Sequence, residues 1–362
     1  MTKNNKISVR QIFIMFIVIT LSPTIRVFPT SCAQFGKTAA WVGPIIATAC
    51  LVLLTCVLTA IFKSGKFRDL GDVFEKLTGK VVSKVLLTLY LLWATLLFLL
   101  YIRYYAERPM STIFPYVNIR YFIVSMMILV FIAAHGRLEA FARLAEIAFI
   151  IFIVTFLIFF VFLIPTIKPR NMLPVTYLDA FPALKSAFPV VSIFGYLTPF
   201  FFLGAQISDK EKLFLKSKKL VIFLFIISTM TVVCVVGSLG YRTTGRMPMP
   251  FFSAMKLVNV LQSFDRLETA VLAIWVVADF ILIVAFALII VNILKSLFRV
   301  TEPKHYATPV VFLGYIGGIY LAVGRFELEA YSSSILCYTL NTVFGFGVPL
   351  ALLGIGKLRK LL

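Results

Sequence analysis

The chain has 362 residues, of which 61% are hydrophobic and 14% charged, against about 25% charged in an ordinary soluble domain. A mean hydropathy of +1.00 and 37 phenylalanines exclude a soluble enzyme, a nucleic-acid binder and a receptor with a large soluble module. The net charge of +20 therefore has to be read by position, and the basic residues sit mainly at the ends of apolar runs.

Apolar runs between polar, Pro- or Gly-marked breaks predict ten membrane spans. In chain order they are Arg10 to Pro29, Ala39 to Phe62, Val81 to Tyr104, Tyr121 to Ala134, Ala140 to Pro165, Ala183 to Ile207, Leu220 to Tyr241, Leu267 to Phe298, Thr308 to Val323 and Ser334 to Ile355. The fourth and ninth are short, and the eighth is long enough to tilt. Met1 to Thr30 opens basic and turns apolar, but the spans behind it make it a first membrane helix rather than a cleaved signal. Ten spans use about 200 residues, leaving no room for a folded extramembrane domain, so residues 1–362 read as a single all-α transmembrane domain.

Ten spans put both termini on one side. That side carries 22 of the 35 Lys and Arg, including six from Lys63 to Lys84 and five from Lys210 to Lys219, and the positive-inside rule places it in the cytoplasm. A basic cytoplasmic face also suits anionic membrane lipid, which accounts for the charge without nucleic acid.

Many secondary transporters are two five-helix units of opposite topology, making span 1 equivalent to span 6. Span 1 holds Leu21-Ser22-Pro23-Thr24, and span 6 holds Gly195-Tyr196-Leu197-Thr198-Pro199 followed by Gly204. Proline removes a backbone donor and glycine lowers the cost of leaving helical geometry. Either prolyl segment alone reads as a kink in a packed helix. At paired positions they predict two broken helices whose freed N–H and C=O groups cradle a carboxylate and an ammonium, the chemistry of amino-acid recognition.

Arg26 follows the first break, and Asp279 lies near the centre of span 8. A charge at a helix centre costs roughly 2.5–3.5 kcal/mol, so each is expected to have a partner or a wet cavity. Their mutual pairing is the economical expectation: a structural ion pair between spans 1 and 8, or a functional one with Arg26 on a substrate carboxylate and Asp279 titrating. Asp265-Arg266-Leu267-Glu268 reads as a capping box. Glu139, Arg143 and Glu146 have the spacing of helix-surface pairs. Tyr90, Trp93, Tyr101, Tyr104 and Tyr105 give span 3 an aromatic surface; anchoring and packing explain most of it, with the deeper Tyr90 and Trp93 as candidates for ligand stacking. The five cysteines read as small core residues. His135 and His305 stand singly at span ends, and with no phosphate loop or nucleophile motif the chain offers no metal, cofactor or enzyme site.

These residues carry a resemblance. Ile7-Ser8-Val9-Arg10-Gln11, Phe28-Pro29, Arg103-Tyr104-Tyr105-Ala106-Glu107, Gly136-Arg137-Leu138-Glu139 with Arg143-Leu144-Ala145-Glu146-Ile147, and Phe264-Asp265-Arg266-Leu267-Glu268 with Trp275 resemble, in order and spacing, the spore germination permease family. Its members are the B subunits of nutrient germinant receptors. The resemblance implies a ten-helix, LeuT-like inverted repeat of the amino acid–polyamine–organocation superfamily, with repeats over about 7–165 and 183–356. It further implies residence in the spore inner membrane with an A subunit and a C-subunit lipoprotein, and sensing of a small nutrient such as an amino acid in a pocket between spans 1, 3, 6 and 8. The alternative is a stand-alone proton-coupled amino-acid permease. The candidate ligand residues are Ser22, Pro23, Thr24, Arg26, Tyr90, Trp93, Gly195, Tyr196, Thr198 and Asp279. The chain departs from the family where relatives carry a Gly-containing first break and an acidic residue near the second.

Overall fold

A computed structural model describes residues 6–112, 114, 116–257, 267–300, 302–332 and 335–361. The expected capping box at Asp265 lies outside them. The described residues form a helical bundle, with one isolated parallel bridge between Ile7 and Ile207.

The elements are α1 (Val9–Gly36), α2 (Val42–Phe62), α3 (Leu70–Thr78), α4 (Lys80–Thr112), α5 (Ile119–His135), α6 (Leu138–Leu163), α7 (Ala180–Phe194) continued by a 3₁₀ segment (Gly195–Gln206), and α8 (Leu213–Leu239). After the short α9 (Tyr241–Thr244) and α10 (Pro250–Met255) come α11 (Leu267–Phe298), α12 (Ala307–Tyr320) and α13 (Arg325–Ser332). The chain ends in α14 (Ile335–Thr342), a π segment (Val343–Gly347) and α15 (Val348–Leu358).

Among the described residues eight helical runs are long and apolar enough to cross a bilayer, which makes this an integral membrane protein. The expected fourth and ninth spans are the exceptions. The fourth, α5, has 17 residues. The ninth bends by 117° between Lys304–Tyr320 and Arg325–Ser332.

Burial separates two kinds of span. The central windows of Val9–Ala39 and Tyr177–Gln206 are each 89% buried, whereas that of Leu138–Thr166 is 33% buried although it is the most apolar. A helix that is apolar all round suits either lipid or the protein interior, and here packing decides. α1 contacts α6, α7, α8 and α11, with α2 against α7 and α8, so α1 and α7 form the centre of the bundle.

One end of the bundle gathers both termini. Ile7 N–H donates to the Gln206 carbonyl at 2.8 Å, and Ser208 N–H to that of Ile7 at 3.0 Å. Lys66 Nζ reaches the Leu361 carbonyl at 3.1 Å, and Lys210 Nζ the Phe67 carbonyl at 3.2 Å. The basic clusters counted in the sequence meet on this side. Glu146 pairs across to Arg10 at 3.8 Å. Of the cysteines, Cys32, Cys234 and Cys337 are core residues, but Cys56 faces outward.

Candidate ligand site

α1 starts on a capping box: Ser8 Oγ accepts from Gln11 N–H at 3.2 Å, and Gln11 Oε1 accepts from Ser8 N–H at 2.9 Å. The helix then runs without interruption through Ser22, Pro23 and Thr24 to Gly36. This corrects the expected break. Pro23 removes one donor, but Thr24 Oγ1 bonds back to the Thr20 carbonyl at 2.6 Å, and all three residues are buried in packed surroundings. The helix does not unwind here.

Span 6 does change at Gly195, by tightening rather than opening. The 3₁₀ segment is 12 residues long, where such runs seldom exceed 3–4. Pro199 lacks the N–H that an α-helix would direct at the Gly195 carbonyl. Gly195 lies against the π segment: a Cβ there would sit 2.8 Å from the Asn341 carbonyl oxygen and 3.1 Å from Gly345 Cα. Thr198 Oγ1 donates to the Gly345 carbonyl at 2.6 Å. Gly195 and Thr198 thus hold span 6 to span 10.

Asp279 and Arg26 do not pair, correcting the second expectation. Asp279 forms its ion pair with Arg108 of α4. Ser22 Oγ donates to Asp279 Oδ1 at 2.7 Å and accepts from Trp275 Nε1 at 2.8 Å and Arg108 at 3.1 Å. The Arg108 guanidinium also lies 4.1 Å from the Trp275 ring centroid. Ser22 uses its donor and both acceptor positions, so this cluster ties α1, α4 and α11 together and is closed to a ligand in this conformation. Arg108 directly precedes Pro109 at the end of the apolar part of span 3. Glu107 is taken by Arg103 one turn back, at 2.9 Å, and Arg108 is the cation that α4 brings to Asp279.

Arg26 instead lies 3.6 Å from the Tyr104 ring centroid and lines a cavity of about 30 Å³. The polar groups around it are Tyr101, Tyr104, Ser192, Tyr196, Ser332, Tyr338 and Asn341, with no carboxylate in the lining among the described residues. Arg26 Nε is buried without a hydrogen-bond partner. Tyr101 donates to Tyr196 Oη at 3.2 Å, Asn341 Nδ2 to the same oxygen at 3.3 Å, and Ser31 and Tyr338 share a bond of 3.1 Å. The walls come from spans 1, 3, 6 and 10, with Ser332 added from α13. Of the candidate residues, Arg26 and Tyr196 line the cavity. Tyr90 and Trp93 stand behind it: Tyr90 Oη donates to the Phe344 carbonyl at 2.5 Å, and Trp93 Nε1 to Asn341 Oδ1 at 2.8 Å. Sequence reading assigned Tyr101 and Tyr104 to anchoring and passed over Tyr338 and Asn341. The polar Tyr338 and Asn341 in an apolar span were the available signal.

The chain is thus a multi-pass integral membrane protein whose interior holds a buried ion pair and an arginine-lined polar cavity. The chain is a member of the spore germination protein family, the spore permeases, whose profile it matches over residues 6–323. It is 24% identical over 315 residues to spore germination protein KB of Bacillus subtilis (strain 168), covering 84% of this chain and 82% of that protein.

Proposed function

We propose that the chain is the membrane-embedded B subunit of a nutrient germinant receptor, which binds a small amino-acid-like germinant in the Arg26 cavity and so triggers germination. It acts in the spore inner membrane with an A subunit and a C-subunit lipoprotein, both termini in the cytoplasm, on a ten-span inverted-repeat scaffold. Family membership, the central position of spans 1 and 6 and the basic side shared by the termini support this reading. The observation that carries it is the Arg26 guanidinium in a polar cavity lined, among the described residues, by no carboxylate. A ligand carboxylate would supply the missing anion, and the faces of Tyr101, Tyr196 and Tyr338 suit an ammonium.

A cavity of about 30 Å³ has room for one or two waters, so this conformation is contracted. A germinant would favour an expanded one, and signalling requires that difference in affinity between the two states.

The test is the nutrient dose needed for spores carrying the variant in its native receptor to germinate. Arg26→Gln should shift that dose by at least about tenfold, the worth of a charged hydrogen bond, while Arg26→Lys shifts it less and protein levels stay constant. An unchanged dose in Arg26→Gln overturns the site. Uptake of labelled amino acid by proteoliposomes holding this chain alone would overturn the receptor reading in favour of a stand-alone permease.

A further inference from the structure

A second cavity, of about 430 Å³, opens at the end of the bundle that carries both termini, between α3, the start of α4 and the end of α11. Its lining is strongly charged, and most of its acids are occupied. Asp69 Oδ1 caps α3 by accepting from Asp72 N–H at 2.9 Å. Asp72 Oδ2 accepts from Arg68 N–H and from Lys76, both at 2.9 Å. Glu75 accepts from Arg299 at 2.5 Å. Lys80, Lys84 and Lys295 line the same cavity, and none of the ion pairs among the described residues includes them. Burial pushes the Asp69 carboxyl up from its usual range, against the opposing pull of the nearby Lys295 and Lys210 ammonium groups. Gly71 lets α3 lie against α11 and close the floor, since a Cβ there would sit 2.6 Å from Ser296 Oγ.

The flank of the cavity is apolar. Val81, Val85, Leu89 and Leu92 are exposed along α4, spaced to share one face. Lys80 and Lys84 form the adjacent stripe one residue back. A cationic hollow at a span end therefore runs directly into a lipid-facing stripe, which is the shape of a phospholipid: anionic headgroup at the boundary, acyl chains along the helix.

We propose that Lys80, Lys84 and Lys295 form a binding site for the phosphate group of an anionic glycerophospholipid, whose acyl chains lie along Val81, Val85, Leu89 and Leu92. The site stands apart from the Arg26 cavity, and its occupancy is independent of germinant binding as an assignment.

The test uses the full chain in phosphatidylcholine nanodiscs, titrated with dioctanoyl phosphatidylglycerol and, separately, with inorganic phosphate. The short-chain lipid should bind saturably. The triple variant Lys80→Gln/Lys84→Gln/Lys295→Gln should bind about 100-fold more weakly, at the usual worth of a lysine near anionic lipid. The matching triple Lys→Arg variant should keep binding, which separates lost charge from lost fold. Lys212→Gln/Lys218→Gln/Lys219→Gln, at the start of α8 outside the cavity, should bind like the parent. Undiminished binding in the first variant, or equal loss in the α8 control, overturns the site. If inorganic phosphate binds as tightly as the lipid, the apolar stripe contributes nothing and the lipid is overturned as the occupant.

Discussion

Asp279 shows how much a single buried charge organises around itself. It holds Ser22 and Arg108, and Ser22 in turn takes Trp275, so three helices converge on one carboxylate. Removing one partner of a buried pair leaves the other uncompensated, at a cost of about 3–5 kcal/mol, while replacing both by apolar residues of similar volume is far milder. Arg108→Ala and Asp279→Ala are each expected to lower the thermal midpoint of the purified protein sharply, and Arg108→Met/Asp279→Leu to recover most of the loss. A double variant no more stable than the worse single one would show that the pair is not the unit. The sequence marked Asp279 as needing a partner, because an isolated carboxylate in an apolar span is costly wherever it lies. It could not name Arg108, because that choice depends on where α4 crosses α11. Arg26, freed from the expected pair, takes the Tyr104 face instead.

Among the elements, the junction between the 3₁₀ segment and the π segment is where the backbone geometry of the bundle is least regular. The two meet through glycines: a Cβ on Gly345 would sit 2.3 Å from Gly195 Cα and 2.9 Å from the Gly195 carbonyl carbon. These neighbours are backbone and cannot turn aside. Gly345→Ala is expected to cost more than Gly195→Ala, with the former at the upper end of the roughly 1–3 kcal/mol that overpacking incurs. Thermal unfolding in detergent reads both, and equal midpoints for the two variants would contradict the contact. The prolines in spans 1 and 6 were legible as irregularities, but their consequences diverge. Pro23 sits in a helix held on all sides by α6, α7, α8 and α11 and stays helical. Pro199 sits in a segment that packs on an underwound π turn, and there the helix tightens.

At the scale of the whole molecule, the start of the chain is strapped to the segment that follows span 6. The Ile7 bridge is reinforced by Asp209, whose Oδ1 accepts from Val9 N–H at 2.6 Å and which also pairs with Lys216. Partial burial disfavours ionisation of Asp209, but the Lys216 ammonium and the Val9 N–H outweigh it and hold the carboxyl below its usual 3.8. A carboxyl lowered by folding contributes stability that is complete above its unfolded pKa and is lost as the pH falls through the folded value. The strap should therefore remain closed from neutrality down to about pH 4 and open only below that. Asp209→Ala removes this reinforcement at every pH, with a cost of about 1 kcal/mol for the lost cap. Hydrogen exchange of the peptide spanning residues 6–12 checks this: fast exchange in Asp209→Ala at pH 7, and slow exchange in the parent, are the expected results.

The sequence by itself determined that the chain is helical and membrane-embedded, where most spans begin and end, and which side gathers the basic residues. These follow from the transfer of apolar and charged groups between water and hydrocarbon, a local property of each segment. It also marked α5 and the span beginning at Thr308 as the weakest, and α5 is short while the other is bent. Which of the apolar helices are buried and which face outward, which cation Asp279 takes, and whether a proline opens a helix were decided only by tertiary structure. Each depends on what another helix places alongside, and hydrophobicity along one segment carries no record of its neighbours.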